Sequence, residues 1–163
     1  MRFWAGVMLM TGVLALAGIA PDSAQSQTRK APYFASIAAS KARMRTGPGR
    51  NFPASWLYQR ADLPIKIVDS YKEWRKVEDP DGTQGWMQGN LLSETRTGII
   101  MGSTADLLEA PRFNAVLLWR AAPGVVGRIS KCARGWCWFD VRGRAGYVEA
   151  NRLWGVDSGE QLP

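Results

Sequence analysis

The sequence repeats itself at a fixed distance. Residues 73–87 read EWRKVEDPDGTQGWM and residues 135–148 read GWCWFDVRGRAGYV, so a Trp-led run, a polar Gly turn and a Gly-aromatic-apolar triplet occur twice. Phe52 and Phe113, Ala54 and Ala115, Leu57 and Leu118, Tyr58 and Trp119, and Val68 and Ile129 all stand 61 residues apart. Trp74 and Trp136 are 62 apart, and Gly85-Trp86-Met87 returns to an offset of 61 with Gly146-Tyr147-Val148. A period of this size marks a duplicated structural unit. It divides the 163 residues into units of 39–95 and 103–156, each near the lower size at which a domain buries enough surface to fold.

Within a unit the apolar residues alternate over short runs. In LPIKIVD, Leu63, Ile65 and Ile67 occupy every second position, and EWRKVE, the DPDG turn and GWMQ follow. Alternation punctuated by Gly, Pro and Asp about every ten residues, with no long 3.6-residue periodicity, predicts strands and a small antiparallel barrel or sandwich. Five strands per unit are expected, and the closing GNLL and ANRL suit a single 3₁₀ turn. Residues 25–38 read as a polar tether, the segment after Val156 as a short loose acidic tail, and the connection between the units as too short for them to tumble independently.

The N-terminus supplies the compartment. Arg2 is followed by FWAGVMLMTGVLALAGIA, a positive start and an apolar run ahead of small residues. This is the form of an export signal, residues 1–24, with cleavage expected at Ala17 or Ala24 and a retained anchor as the alternative. The mature chain is then periplasmic or extracellular, with no stable membrane span after cleavage. Export gives the two cysteines their meaning. Cys132 and Cys137 bracket ARGW, a spacing that suits a disulfide across a hairpin in an oxidising compartment, and there is no third Cys and no His to complete a zinc site. The absence of histidine also removes the Ser-His-Asp and Cys-His systems, and the acids of EDPD, Glu78 to Asp81, fall in a solvated turn. A noncatalytic chain without cofactor or metal is expected.

Taken together, ARMRTGPGRNFP and EWRKVEDPDGTQGWMQGNLLS in the first unit, and CARGWCWFDVRGRAGYVEANRLWGV in the second, resemble the bacterial Src-homology-3-like (SH3) domains in their exported tandem form. The resemblance covers residues 39 to 156. It implies an all-β fold of two small SH3-like barrels and a noncatalytic module of the cell envelope that recognises peptidoglycan or its peptides, or acts as a protein-interaction adaptor. The second unit departs from the first: LLEAPRFN replaces MRTGPGRNF, so Leu108-Glu109 stands for the Arg-Thr pair and both loop glycines are missing.

The candidate ligand-binding residues lie in the first unit. Arg43, Arg45 and Arg50 flank the Gly-Pro loop, with Trp56 and Tyr58 on the next strand, and a cationic loop beside aromatic faces can hold a carboxylate and stack on a sugar or peptide. Trp74 recurs as Trp136, which suits packing, and a half-buried Trp at a barrel mouth also serves a ligand. Gly47 and Gly49 are read as serving backbone geometry. Trp138 and Trp154 lack counterparts in the first unit and suit either the unit interface or an exposed patch. The net charge of +7 is shared: nine basic and six acidic residues over 41–92 leave +3, and eight basic and four acidic over 104–155 leave +4. A basic, aromatic-faced barrel also suits nucleic acid, but export makes cell-wall peptidoglycan or an envelope protein the expected partner.

Overall fold

A computed structural model describes residues 29–163. The expected export signal and the first residues of the tether lie outside the described residues. The chain is all-β and forms two small barrels in tandem. The first is built from β1 (Tyr33–Ile37), β2 (Ala42–Arg45), β3 (Ala54–Tyr58), β4 (Pro64–Tyr71), β5 (Trp74–Glu78), β6 (Gln84–Gln88), a 3₁₀ turn (Gly89–Leu91) and β7 (Leu92–Ser93). The second repeats this with β8 (Thr97–Ile100), β9 (Ala105–Leu108), β10 (Leu117–Ala121), β11 (Val126–Ala133), β12 (Trp136–Val141), β13 (Arg144–Glu149), a 3₁₀ turn (Ala150–Arg152) and β14 (Leu153–Trp154). The sheet orders correspond, β3-β2-β6-β5-β4-β1-β7 and β10-β9-β13-β12-β11-β8-β14. Among the described residues no helix is long and apolar enough to cross a membrane.

Two expectations are corrected by this topology. Each sheet has seven strands, not five, because β1 and β7, and likewise β8 and β14, add to the five-strand core. The stretch read as a tether over 25–38 contains β1, which pairs with β4 and β7 and buries Phe34, Ala35, Ser36 and Ile37. Its run YFASI does not alternate because neighbours cover both faces, and a strand buried on both faces loses the period-two signature.

The strand pairings also correct the register of the repeat. Ala42 pairs with Tyr58 as Ala105 pairs with Ala121, and Met44 with Trp56 as Leu107 pairs with Trp119, so these strands correspond at an offset of 63. Ile67 opposite Val77 matches Ile129 opposite Phe139 at 62, and Lys76 opposite Trp86 matches Trp138 opposite Tyr147 at 62 and 61. The offset falls because the second barrel has one residue fewer between β10 and β11 than between β3 and β4, and one fewer between the paired residues Asp140 and Ala145 than between Glu78 and Gln84. Phe52 is therefore the counterpart of Ala115, and Tyr58 that of Ala121; the identities at 61 in this region do not mark structural counterparts.

Closure of each barrel depends on the repeated triplet. Gly85 lies where β6 crosses β2, and a Cβ there would stand 2.5 Å from Met44 Cγ and 2.8 Å from the Arg45 carbonyl oxygen. Gly146 lies where β13 crosses β9, and a Cβ would stand 2.9 Å from the Leu107 carbonyl carbon. Only glycine lets these backbones pass so closely. The next residue, Trp86 or Tyr147, then faces outward, and the third, Met87 or Val148, is fully buried. The cores conserve filling rather than identity: Tyr58, Ile65 and Val77 in the first barrel are matched by Ala121, Gly127 and Phe139 in the second. A large ring on β12 thus takes up the space that two smaller neighbours release.

Cys132 and Cys137 face each other across the β11–β12 hairpin and are bonded, with Cα atoms 4.1 Å apart. The C-terminal segment is also fixed, against the expectation of a loose tail. Leu162 exchanges backbone hydrogen bonds with Cys132. Glu160 accepts two hydrogen bonds from the Arg96 guanidinium, at 2.6 and 2.9 Å, and Arg96 also donates to the Gly155 carbonyl. Asp157 reaches the first barrel, where it pairs with Lys66 at 3.1 Å. Phe34 of the first barrel meets Trp154 of the second edge-on at 5.1 Å, with Lys66 and Arg96 over its ring. The barrels pack on each other around Phe34, and Arg96 ties the tail to that contact.

The hydrogen bonds from Arg96 hold the Glu160 carboxyl below its ordinary pKa of 4.5, against the opposing effect of burial. A depressed carboxylate pKa gives stability that is present above 4.5 and is lost as pH falls through the folded value. Glu160→Gln is therefore expected to lower unfolding free energy at neutral pH by about 2 kcal/mol, measured by chemical denaturation. The difference from the parent is expected to shrink as pH is lowered below 4.5.

Candidate functional site

Strand alternation along β2 builds the site. Ala42 and Met44 point into the core, so Lys41, Arg43 and Arg45 stand on the outer face at every second position. Leu57, opposite Arg43 on β3, lies on the same face. The floor comes from the other end of the sheet, where Trp74 at the start of β5 pairs with Gln88 at the end of β6, and the 3₁₀ turn adds Leu91. Lys41, Arg43, Arg45, Leu57, Trp74, Gln88 and Leu91 together line a groove of 390 Å³. No acidic residue lines it, and among the described residues none of its three cations forms an ion pair. Trp74 is only 4% exposed, so its ring is packed and presents little more than an edge to the groove.

The structure brings together Arg43, Arg45 and Trp74 of the six residues singled out from sequence. Arg50 is exposed on the loop and does not line the groove. Trp56 is 58% exposed and also lies outside it. Tyr58 is buried at 8% exposure, and its hydroxyl donates to Asp79 Oδ2 at 2.8 Å. Burial, and then the bond to Asp79, push that hydroxyl well above its ordinary pKa. Asp79 also accepts the backbone N–H groups of Asp81 and Thr83, so Tyr58 anchors the β5–β6 turn. Sequence reasoning missed Lys41, Leu57, Gln88 and Leu91. Lys41 was within reach, because it continues the alternation of Arg43 and Arg45; Gln88 and Leu91 come to the groove only through the pairing of β5 with β6.

Arg45 does a second job: its Nη1 donates to the Phe52 carbonyl at 2.6 Å and closes the Gly-Pro loop. A Cβ on Gly47 would run into the Phe52 ring, so this glycine makes room for the ring. The second barrel keeps the loop without the glycines. Thr46 to Pro53, Gly49 to Gly47 and Phe52 to Gly49 are matched by hydrogen bonds from Glu109 to Val116, Arg112 to Ala110 and Ala115 to Arg112. Ala110 is tolerated where Gly47 stood because Ala115 replaces Phe52.

The matching groove of the second barrel has different chemistry. Lys41, Arg43 and Arg45 become Thr104, Asp106 and Leu108, and Gln88 and Leu91 become Glu149 and Arg152. Phe113, which takes the place of Arg50, packs edge-on against Trp136 at 5.2 Å. Arg120, the counterpart of Leu57, pairs with Asp106 at 3.1 Å, and Arg152 donates to the Ser103 and Thr104 carbonyls. The second groove, 300 Å³, thus has Asp106 and Arg152 partnered from within, and its half-buried Trp136 is flanked by Phe113. The two tryptophans left open by the sequence separate: Trp154 sits at the inter-barrel contact, while Trp138 packs edge-on against Tyr147 at 5.0 Å on the outer face, under Lys131.

The family described as "Bacterial SH3 domain" matches the chain twice, over residues 38–94 and 102–155. The chain matches none of the curated proteins with which it was compared. Among solved structures, it is similar to NlpC1 from Trichomonas vaginalis at 12% identity and a TM-score of 0.36, covering 78% of this chain and 47% of that one. It is similar to an NlpC/P60 family protein from Bacillus cereus at 14% identity and a TM-score of 0.34, covering 80% of this chain and 58% of that one. The chain spans about half the length of these structures.

Tyr58→Phe is expected to lower stability by about 1.5 kcal/mol, the cost of a hydrogen bond to a charged acceptor, while leaving ligand affinity unchanged. Denaturation and binding measured on the same variant separate the two roles.

Proposed function

We propose that this chain, which belongs to the bacterial SH3 domain family in two consecutive copies, is a noncatalytic binding module of the cell envelope whose first barrel recognises peptidoglycan peptides. One observation carries the reading: three unpaired cations, Lys41, Arg43 and Arg45, project in line over a floor of Leu57, Trp74 and Leu91, with no acid among the lining residues. Guanidinium groups hold carboxylates in paired hydrogen bonds, and an apolar floor takes the short aliphatic side chains between them. Peptidoglycan stem peptides offer that combination. The Cys132–Cys137 disulfide suits an exported, oxidising setting.

Catalysis has little support in the chain's chemistry. The sequence has no histidine. Asp79, the buried carboxylate among the described residues, is committed to Tyr58 and the turn amides.

A second reading, a platform for an envelope protein, is favoured by β10. It is the edge strand of its sheet and exposes Leu117, Leu118 and Trp119, next to exposed Val116 and a Phe113 that is 74% exposed. An open apolar edge of this kind is a surface on which another chain can pair.

Cosedimentation with purified sacculi at low and high salt tests the first reading. Parent binding is expected to persist at high salt and to fall about tenfold in Arg43→Glu, since loss of one charged hydrogen-bonding partner is worth about 1.5 kcal/mol or more. Asp106→Lys in the second barrel is expected to leave it unchanged. Equal binding by the parent and Arg43→Glu would refute wall recognition by this groove, and recovery of one stoichiometric envelope protein without wall binding would favour the platform.

A further inference from the structure

The cleft between the barrels gathers arginines from both of them. A space of 430 Å³ lies between Arg60, Ala61 and Asp62 of the β3–β4 turn and the Arg128, Asp140 and Arg142 region of the second barrel. A neighbouring space of 570 Å³ shares Arg60 and Arg142 and adds Arg144. All four arginines are exposed, and among the described residues none of them takes part in an ion pair. Arg144 has an aromatic neighbour, its guanidinium standing 5.6 Å over the Trp119 ring. The two acids of the cleft do not neutralise the four cations. Asp140 Oδ1 accepts the Gly143 N–H at 2.6 Å and closes the β12–β13 turn. Four arginines less Asp62 and Asp140 leave an excess of +2.

Like charges assembled without counter-charges repel and cost stability, and a ligand of opposite charge relieves that cost. The excess selects among anions. A single carboxylate carries one charge, whereas a phosphate monoester carries about −1.5 to −2 at neutral pH and three acceptor oxygens for guanidinium forks. The wall of this cleft also differs from the groove of the first barrel: it offers Val126 and Val141 but no aromatic floor, so charge and hydrogen bonding select the ligand.

We propose that the inter-barrel cleft is a binding site for a phosphate group, held by Arg60 from the first barrel and by Arg128, Arg142 and Arg144 from the second. The site is separate from the carboxylate groove and stands or falls without it. Because neither barrel supplies all four arginines, it gives the tandem arrangement a binding role that one barrel lacks.

The test is a titration of the full chain with inorganic phosphate, followed by NMR of the backbone amides and arginine side chains, with acetate at matched ionic strength as the control. Saturable shifts centred on Arg60, Arg128 and Arg142 are expected with phosphate, and acetate is expected to bind about tenfold more weakly. Arg60→Gln and Arg142→Gln each are expected to weaken phosphate about tenfold, the loss of one charged hydrogen-bonding partner. Arg43→Gln is expected to leave it unchanged. Linear, non-saturating shifts, an equal response to acetate, or saturation indifferent to Arg60→Gln would each overturn the site and leave a solvated basic surface. Flotation with phosphatidylcholine vesicles containing phosphatidic acid then identifies the source of the phosphate. Arg60-dependent flotation upholds the site with a lipid headgroup, and saturable phosphate binding without flotation upholds it with a soluble phosphate.

Discussion

The close crossing of two backbones at a glycine is the contact on which each barrel depends. At Gly85 and at Gly146 a neighbouring strand leaves no room for a Cβ. That crossing fixes what the following residues do: Trp86 and Tyr147 face out, Met87 and Val148 enter the core, and Gln88 and Glu149 arrive opposite Trp74 and Trp136. The opening repeat of the sequence is therefore the trace of one geometric requirement met twice. A groove between β2 and the start of β5 follows from it in both barrels, whatever the side chains that line it.

The side chains then make the two grooves unlike. In the first, Lys41, Arg43 and Arg45 remain without acidic partners. In the second, Asp106 is met by Arg120, Trp136 by Phe113, and Arg152 by the carbonyls of the turn before β9. Unpaired like charges cost folding energy and partnered ones do not, so the first barrel carries an electrostatic cost that a ligand can offset. The second has spent the same positions on its own order. Duplication kept the backbone and let the side chains diverge, one barrel keeping an unpaired cationic groove and the other supplying a disulfide and the anchor for the C-terminal segment.

Much of the fold was legible in the sequence because it rests on local signals. Alternation in LPIKIVD, the DPDG turn and the spacing of Cys132 and Cys137 report on strands and hairpins only a few residues long. What was not legible rests on long-range pairing. Strand β1 hides in a stretch with no alternation because both its faces are covered, and the C-terminal segment looked free because Glu160 finds Arg96 64 residues away. The register of the repeat was misread where loop lengths differ, so the matches of Phe52 with Phe113 and Tyr58 with Trp119 pointed to the wrong counterparts. The site divides the same way. Arg43 and Arg45 were readable from a cationic strand beside a loop, but the inward turn of Tyr58 depends on Asp79 across the barrel, and Gln88 and Leu91 reach the groove only through the fold.

The two barrels share one geometry, and the proposed difference in ligand competence lies in their grooves: only the first groove gathers cations with no acid among its lining residues. The most direct measurement is NMR of the tryptophan indoles and arginine side chains of the full chain during titration with a soluble peptidoglycan stem peptide. Saturable shifts at Trp74, Arg43 and Arg45 with Trp136 unmoved are the expected result. Equal movement of Trp136, or a stationary Trp74 beside bound peptide, would contradict it.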